Sequence, residues 1–250
     1  MLSATLVALT LFCLANRAVA FPIPERLEFE LSYIGVPAGH AVQEVTQEGS
    51  DIHIVSTARS ADWLRFFFPV DDRIESFLTP GSHSQNIGVP HLYKERKHEG
   101  KTITNREARF NHQKFEVTTI NHRNNTEQKQ TITAMTYDSL SSFFYLRTIP
   151  LKVGTSYFID IYDCKRLWNT EVKVLRREEI DTPLGRFKTV VIHPLLKSEG
   201  IFARTGDIFI WLTDDDRRIP VQMKSKVVVG SITATISGGS YWPGKKQLPL

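Results

Sequence analysis

The segment RLEFELSYI (26–34) places Leu27, Phe29, Leu31 and Tyr33 on one face of an extended chain and Glu28, Glu30 and Ser32 on the other. Successive side chains of a strand point to opposite faces, so this pattern predicts a half-buried antiparallel strand. The Gly/Pro-bearing stretch GVPAGHAVQEV (35–45) follows as a turn that opens a second strand. DIHIVSTARS (51–60) repeats the alternation, with Ile52, Ile54 and Ser56 opposed to His53 and Val55. Further strands are expected at 70–79, 85–97, 100–110, 114–121, 127–134, 155–163, 165–176, 186–195, 207–213, 219–229 and 231–237. TPGSHS (79–84), HEGK (98–101), NHQK (111–114), NHRNNTE (121–127), DTPLGR (181–186) and SGGS (237–240) punctuate them as turns. No long helical periodicity separates the strands, which argues against βαβ units and a parallel sheet.

Two segments depart from the period of two. In SADWLRFFFP (60–69), Asp62 can cap one or two helical turns that Pro69 ends. In MTYDSLSSFFYLRTIPL (135–151), Asp138 is a suitable cap and Pro150 a stop, predicting a helix over 138–148. Leu140, Phe143, Phe144, Tyr145 and Leu146 leave that helix apolar most of the way round, the pattern of a buried helix. The expected fold class is therefore mainly β: a single strongly curved antiparallel sheet or incomplete barrel, with one principal helix packed on its concave side.

The N-terminus, MLSATLVALTLFCLANRAVA (1–20), is uncharged from Leu2 to Leu14 and ends on the small-x-small site Ala18-Val19-Ala20. It reads as a secretory signal peptide with a mature start at Phe21. A membrane span needs about 20 apolar residues, and Asn16 and Arg17 interrupt this one. Phe12 before Cys13 argues against lipidation there. Residues 21–237 are expected to form one β-rich domain, with 238–250 as a loose tail. Removing the signal leaves Cys164 alone, so the expected mature fold rests on its core and not on a disulfide. Cys164, in a strand-like stretch, reads as a small buried hydrophobe.

The chain carries 31 Lys and Arg against 27 Asp and Glu, a formal net charge of +4. The cations are dispersed, KERKH (94–98) being the densest group, so there is no basic stripe of the kind nucleic acid requires. His40, His53, His83, His91, His98, His112, His122 and His193 are scattered without metal-ligand spacing. No nucleophile elbow, phosphate loop or dinucleotide fingerprint is present. Neither a metal nor a cofactor is expected, and no catalytic residue is assigned.

Taken in order, ERLEFELSYIGVPAG (25–39), FFFPVDDRIES (66–76), YDSLSSFFYLRTIPLKVG (137–154) and GIFARTGDIFIWLTDDDRRIPVQMKSKVVVGSITATI (200–236) resemble the blocks of an exported bacterial family known as domain of unknown function 3108. The resemblance spans about Glu25 to Ile236. It implies an envelope location and an antiparallel β architecture, similar by analogy of fold to the open barrels of lipoprotein carriers. It brings no activity and no catalytic residues.

Three groups of residues compete for a functional role. In TDDDRRIP (213–220), Asp214, Asp215 and Asp216 with Arg217 and Arg218 read as a charged turn, because consecutive Asp residues diverge and do not converge on a cation. In VDDRIES (70–76), Asp71, Arg73 and Glu75 share one strand face. Arg73 or Arg65 could orient an anionic headgroup, or the row could be a salt-bridged outer surface. The aromatic residues form the third group: Trp63, Phe66, Phe67 and Phe68 on a short segment, and Phe143, Phe144 and Tyr145 on the helix. The helical set suits a core, whereas the 63–68 set is too crowded on one turn to be buried together.

These readings lead to a non-enzymatic protein of the periplasm or outer-membrane periphery of a Gram-negative bacterium. It would bind an apolar or amphiphilic ligand: a lipid, a lipid-linked glycan or an apolar segment of another envelope protein. Trp63, Phe66, Phe67, Phe68, Arg73, Phe143, Phe144 and Tyr145 are its ligand-binding candidates. Peripheral membrane contact is compatible with this, and no transmembrane segment is expected after signal cleavage. One alternative is an envelope polysaccharide hydrolase or lyase using Asp71 and Glu75 or Asp214–Asp216. Another is an assembly factor that docks a partner through a strand edge or the aromatic rim.

Overall fold

The structure, a computed structural model, describes residues 21–81, 87–195, 207–227, 229–244 and 248. The expected signal segment, 1–20, lies outside the described residues. The chain runs as a meander through β1 (Glu25–Tyr33), β2 (Val36–Glu48) and β3 (Asp51–Ser60) to the short helix α1 (Asp62–Arg65). It continues through β4 (Asp71–Thr79), β5 (Val89–Glu99), β6 (Thr102–Asn111), β7 (Glu116–Asn121) and β8 (Thr126–Thr131). The two-residue strand β9 (Tyr137–Asp138) precedes the second helix, α2 (Ser141–Leu146). The second run comprises β10 (Ser156–Tyr162), β11 (Leu167–Thr182), β12 (Gly185–Pro194), β13 (Ile208–Thr213), β14 (Pro220–Lys226) and β15 (Ser231–Gly239).

The fifteen strands of the described residues belong to one sheet, ordered β8-β7-β6-β5-β4-β3-β2-β1-β15-β14-β13-β12-β11-β10-β9. Sequence neighbours pair antiparallel almost throughout, as the alternation predicts. The two halves meet where β1 pairs with β15, from Leu27 opposite Gly239 to Tyr33 opposite Ile232. Register shifts at Glu28/Phe29, Leu31/Ser32, Phe77/Leu78, Val174/Arg176 and Trp211/Leu212 bend and twist the strands that carry them. The sheet curls far enough that side chains near its two ends touch. The Thr119 and Tyr162 hydroxyls, on β7 and β10, lie 2.8 Å apart in the interior. Thr133 Oγ1, just beyond β8, donates to Asp160 Oδ2 at 2.8 Å.

Three apolar clusters hold this arrangement. The first joins Val45, Ile54, Leu78, Tyr93, Phe110 and Val117 of the N-terminal half to Phe144, Tyr162 and Cys164. The second packs Tyr137 and Leu146 against Val172, Val190, Ile192, Ile210 and Leu212. The third lies on the other face of the same C-terminal strands, where Val191, Trp211 and Val221 meet Leu27, Phe29 and Ile236. Both faces of β12 and β13 are thus covered, which explains their near-continuous apolar sequence.

α2 is six residues long, shorter than the expected helix over 138–148. Tyr137 and Asp138 are taken into the sheet, pairing parallel with Ile161 and Tyr162. The expected cap still forms: Asp138 Oδ1 accepts from the amides of Leu140 and Ser141, each at 2.8 Å, and Oδ2 accepts from Ser76 Oγ at 2.6 Å. Phe143 and Tyr145 pack against both the first and the second cluster. The segment expected as a loose tail from residue 238 is packed over its described part up to Trp242. β15 extends to Gly239, and Tyr241 and Trp242 join the third cluster, Trp242 packing edge-on against Phe187.

Candidate functional site

The strand registers sort the connections to two ends of the sheet. Tyr33 and Val36 close the β1–β2 turn, Ser60 opposes Gly39 at the end of β3, and Tyr33 opposes Ile232 at the start of β15. The β1–β2 turn, the α1 segment and the β14–β15 turn therefore share one end. The Asp214–Arg218 turn, between β13 and β14, lies at the opposite end.

α1 is fastened from beneath by its backbone. The Ala61 amide donates to the Ala38 carbonyl at 2.7 Å, and the Trp63 indole N–H donates to the Pro37 carbonyl at 2.9 Å. The Gly100 amide donates to the Pro69 carbonyl at 2.8 Å. Phe68 is half-buried over the β5–β6 turn. A Cβ on Gly100 would come within 2.6 Å of the Phe68 ring, and this glycine also holds φ +60°, so no larger residue fits there without strain. Contrary to the expected cap, Asp62 makes no capping bond; its carboxylate lies 3.5 Å from Arg65.

Phe68 anchors the segment and its neighbours point out. Phe66 is 91% exposed, Phe67 82% and Trp63 46%. Ile34, Val36 and Val229 are also exposed at this end. Their turns are tied together, the Ile34 amide donating to the Ser231 carbonyl at 3.1 Å and the Tyr33 hydroxyl to the Val229 carbonyl at 2.9 Å. Sequence reading isolated the aromatics but missed Ile34, Val36 and Val229, since only the pairing of β1 with β15 brings those turns beside each other. The helical aromatics have another fate: Phe144 is fully buried between Phe21 and Phe143, and Tyr145 stacks on Tyr137 at 4.6 Å.

Arg73, Glu75 and Asp71 share a face of β4, and each is paired. Arg73 contacts Glu75 at 3.0 Å, His53 Nε2 lies 3.1 Å from the same carboxylate, and Asp71 pairs with Arg59 at 3.3 Å. Burial alone would raise the Glu75 carboxyl, but the Arg73 hydrogen bond and charge, with His53, hold it below its ordinary range. At the far end, Asp214 meets Arg177 at 2.7 Å and Asp215 meets Arg217 at 2.8 Å. Asp215 also accepts from Thr213 Oγ1 at 2.6 Å and the Arg218 amide at 3.2 Å, the bonding of a turn. The two acidic groups do not come together.

Asp72, pointing to the other face of β4, was not singled out in the sequence. It lies at the foot of the α1 segment and accepts from the His98 amide at 3.0 Å. Burial and the neighbouring Glu99 carboxylate raise it to about 7, against the pull of that amide and of Lys97. Elsewhere at this end, Ile103, Thr104, Arg106, Asn121, Arg123 and Asn124 line a cleft of about 390 Å³ whose walls are mostly polar. No group of three or more His, Cys, Asp or Glu among the described residues is placed to hold a metal.

The family model described as protein of unknown function (DUF3108) matches residues 28–237. The chain belongs to this family. Its fold is also seen in a crystal structure of a beta-barrel-like protein of domain of unknown function DUF1849 from Brucella abortus, with a TM-score of 0.55 at 12% identity. That match covers 88% of this chain and 98% of the other. A hypothetical protein, CT021 from Chlamydia trachomatis, aligns over 90% of this chain and 93% of its own at 6% identity, with a TM-score of 0.37. No match was found among curated proteins. For this DUF3108 chain the likeness establishes a beta-barrel-like fold. No described helix is long and apolar enough to cross a membrane.

Proposed function

We propose that this DUF3108 protein is an exported, non-catalytic binding protein of the cell envelope that recognises an apolar or amphiphilic ligand through its α1 end. One observation carries the reading: Phe66 and Phe67 are held outward by a segment whose backbone and third phenylalanine are firmly anchored. Exposing two adjacent phenyl rings forgoes about 1.5–3 kcal/mol of burial for each. A contiguous apolar patch kept at that cost marks a contact site.

In this reading α2 is a plug on the concave side of the sheet, and Phe144 belongs to the core. Tyr93, Phe110, Phe144 and Tyr162 occupy the space between strands and helix, which favours recognition at the end of the barrel over a guest carried deep inside. Of the carboxylates considered for hydrolysis, Asp71, Glu75, Asp214 and Asp215 are paired with Arg59, Arg73, Arg177 and Arg217, which favours binding over catalysis. β8 closes one edge of the sheet with the exposed polar sequence TEQKQT, a guarded edge ill suited to adding a partner strand.

Titration with dodecylphosphocholine below its critical micelle concentration, followed by amide NMR, tests the proposal. Shifts should concentrate at residues 33–36, 61–69 and 229–231 and vanish in Phe66→Ser/Phe67→Ser. Shifts confined to the interior strands, or none, would overturn it.

A further inference from the structure

The α1 end carries a second feature, built from other strands. Antiparallel register places Glu95 opposite Arg106 and Arg106 opposite Asn121, so these side chains stand in one row across β5, β6 and β7. Thr104 lies in the next row, opposite Lys97. Thr104, Arg106 and Asn121 line the cleft of about 390 Å³ together with Ile103, Arg123 and Asn124. That volume is within the range of small-molecule sites.

The polar lining is fixed from behind. Glu95 is 4% exposed; its Oε1 lies 3.4 Å from Arg106 Nη1, and its Oε2 lies 3.3 Å from Lys97. The buried Tyr93 hydroxyl donates to the same Oε2 at 3.3 Å and lies 2.9 Å from Ser139 Oγ. One bond steadies Arg123, from Nη1 to the Ile103 carbonyl at 2.6 Å. Asn121 Oδ1 accepts from the Arg123 amide at 3.1 Å, and Asn124 Oδ1 accepts from Thr126 Oγ1 at 2.8 Å. Nε and Nη2 of both arginines and the N–H₂ groups of both asparagines have no hydrogen-bond partner among the described residues. The side chains are held, and their remaining donors are free for a ligand.

Charge does not choose that ligand. Arg106 and Lys97 share Glu95, Asp72 is held by the His98 amide, and Glu99 lies beside Asp72. Glu127 is exposed, but it opposes Ile120 and so stands on the other face of β8 from Thr126, the partner of Asn121. With these acids present the end has no excess of cations to favour a bare anion. What the cleft offers is directional: two planar guanidinium forks, two amide N–H₂ groups and the Thr104 hydroxyl, with half-exposed Ile103 beside them. Vicinal hydroxyl oxygens and acetamido carbonyls of a sugar present acceptors to such donors, and the C–H face of the ring matches Ile103.

We propose that this cleft is a binding site for an uncharged saccharide. Arg106 and Arg123 donate to neighbouring ring substituents, Asn121 and Asn124 to single acceptors, and Ile103 packs on the ring. The assignment goes beyond the amphiphile reading and makes no use of the α1 segment, so each stands or falls alone.

The test is NMR of backbone amides and arginine side chains in the chain beginning at Phe21, which holds every described residue. The probes are N,N′-diacetylchitobiose, maltose and inorganic phosphate. The expected result is saturable shifts at residues 103–106 and 121–126 with at least one disaccharide, and none there with phosphate. Arg106→Lys/Arg123→Lys keeps both charges and removes both forks, and should weaken that disaccharide about fivefold or more. Asn124→Asp keeps the acceptor for Thr126 and removes the free donor, and should weaken it about threefold or more. Thermal unfolding near the parent's temperature identifies which variants are folded, and Asn124→Asp serves if the lysine variant is not. Saturation by phosphate without a response to either disaccharide makes the cleft an oxyanion site and overturns the proposal. No response to any probe, disaccharide shifts confined to other residues, or unchanged affinity in the folded variants also overturns it.

Discussion

Arg147 and Glu25, 122 residues apart in sequence, form a two-point ion pair in the interior, Nη1 to Oε2 at 2.6 Å and Nη2 to Oε1 at 2.7 Å. The guanidinium also donates to the carbonyls of Arg217 and Arg218, each at 3.1 Å, and lies over the Phe21 ring at 4.0 Å. Tyr241 donates to Glu25 at 2.5 Å. The Arg147–Glu25 pair thus ties the end of α2, the first strand, the Asp214–Arg218 turn and the C-terminal segment together.

Removing one member of this pair leaves a buried charge uncompensated. Arg147→Met should destabilise the fold by about 3–5 kcal/mol. Glu25→Leu/Arg147→Met should lose less than Arg147→Met alone, the remaining loss reflecting carbonyls and a tyrosine hydroxyl left without partners. Urea unfolding of the parent and the two variants measures both. A double variant weaker than the single one would contradict this account.

The aromatic residues should separate into two classes. Phe144→Ala empties a fully buried ring and should cost about 3–5 kcal/mol. Phe66→Ala and Phe67→Ala touch little of the folded chain and should change stability by less than about 0.5 kcal/mol. Thermal or urea unfolding of each variant gives the comparison.

The Asp72 carboxyl has a pH signature. It is raised from 3.8 to about 7 in the fold, so the folded chain holds this proton better than the unfolded chain. Its contribution to stability therefore falls as pH rises from 3.8 to about 7 and is flat beyond. Asp72→Asn should gain on the parent progressively across that window and hold a constant advantage above it. Unfolding curves for both proteins at stepped pH values read the difference directly. An advantage that shrinks with rising pH has the wrong sign.

Cys164 should be inert in the folded chain. Burial, with the nearby Glu95 carboxylate, pushes its thiol well above the ordinary range, so thiolate is scarce. A disulfide reagent should label the chain beginning at Phe21 only as it unfolds, one thiol per molecule. Rapid labelling under native conditions would show that the cysteine is accessible.

The strand pattern was legible in the sequence because exposure alternates along segments such as β1 and β3, and because turn residues mark their ends. The Asp214–Arg218 turn was legible for the same reason. Closure between β1 and β15 was not, since nothing local in Glu25–Tyr33 names a partner two hundred residues away. That gap hid the site as well: Trp63, Phe66 and Phe67 stood out as a cluster, but Ile34, Val36 and Val229 became their neighbours only through long-range pairing. The helix over 138–148 was overestimated because helical propensity competes with sheet pairing, and Tyr137–Asp138 found a strand partner in β10. Asp138 capped the shortened helix all the same.

The most direct test of the central claim uses an environment-sensitive fluorophore at Phe66→Cys, with Lys129→Cys on the polar edge strand as the reference. Addition of dodecylphosphocholine should shift the emission at position 66 to the blue and leave position 129 unchanged. An unchanged spectrum at 66, or an equal shift at both positions, would contradict the assignment of the α1 end as the binding face.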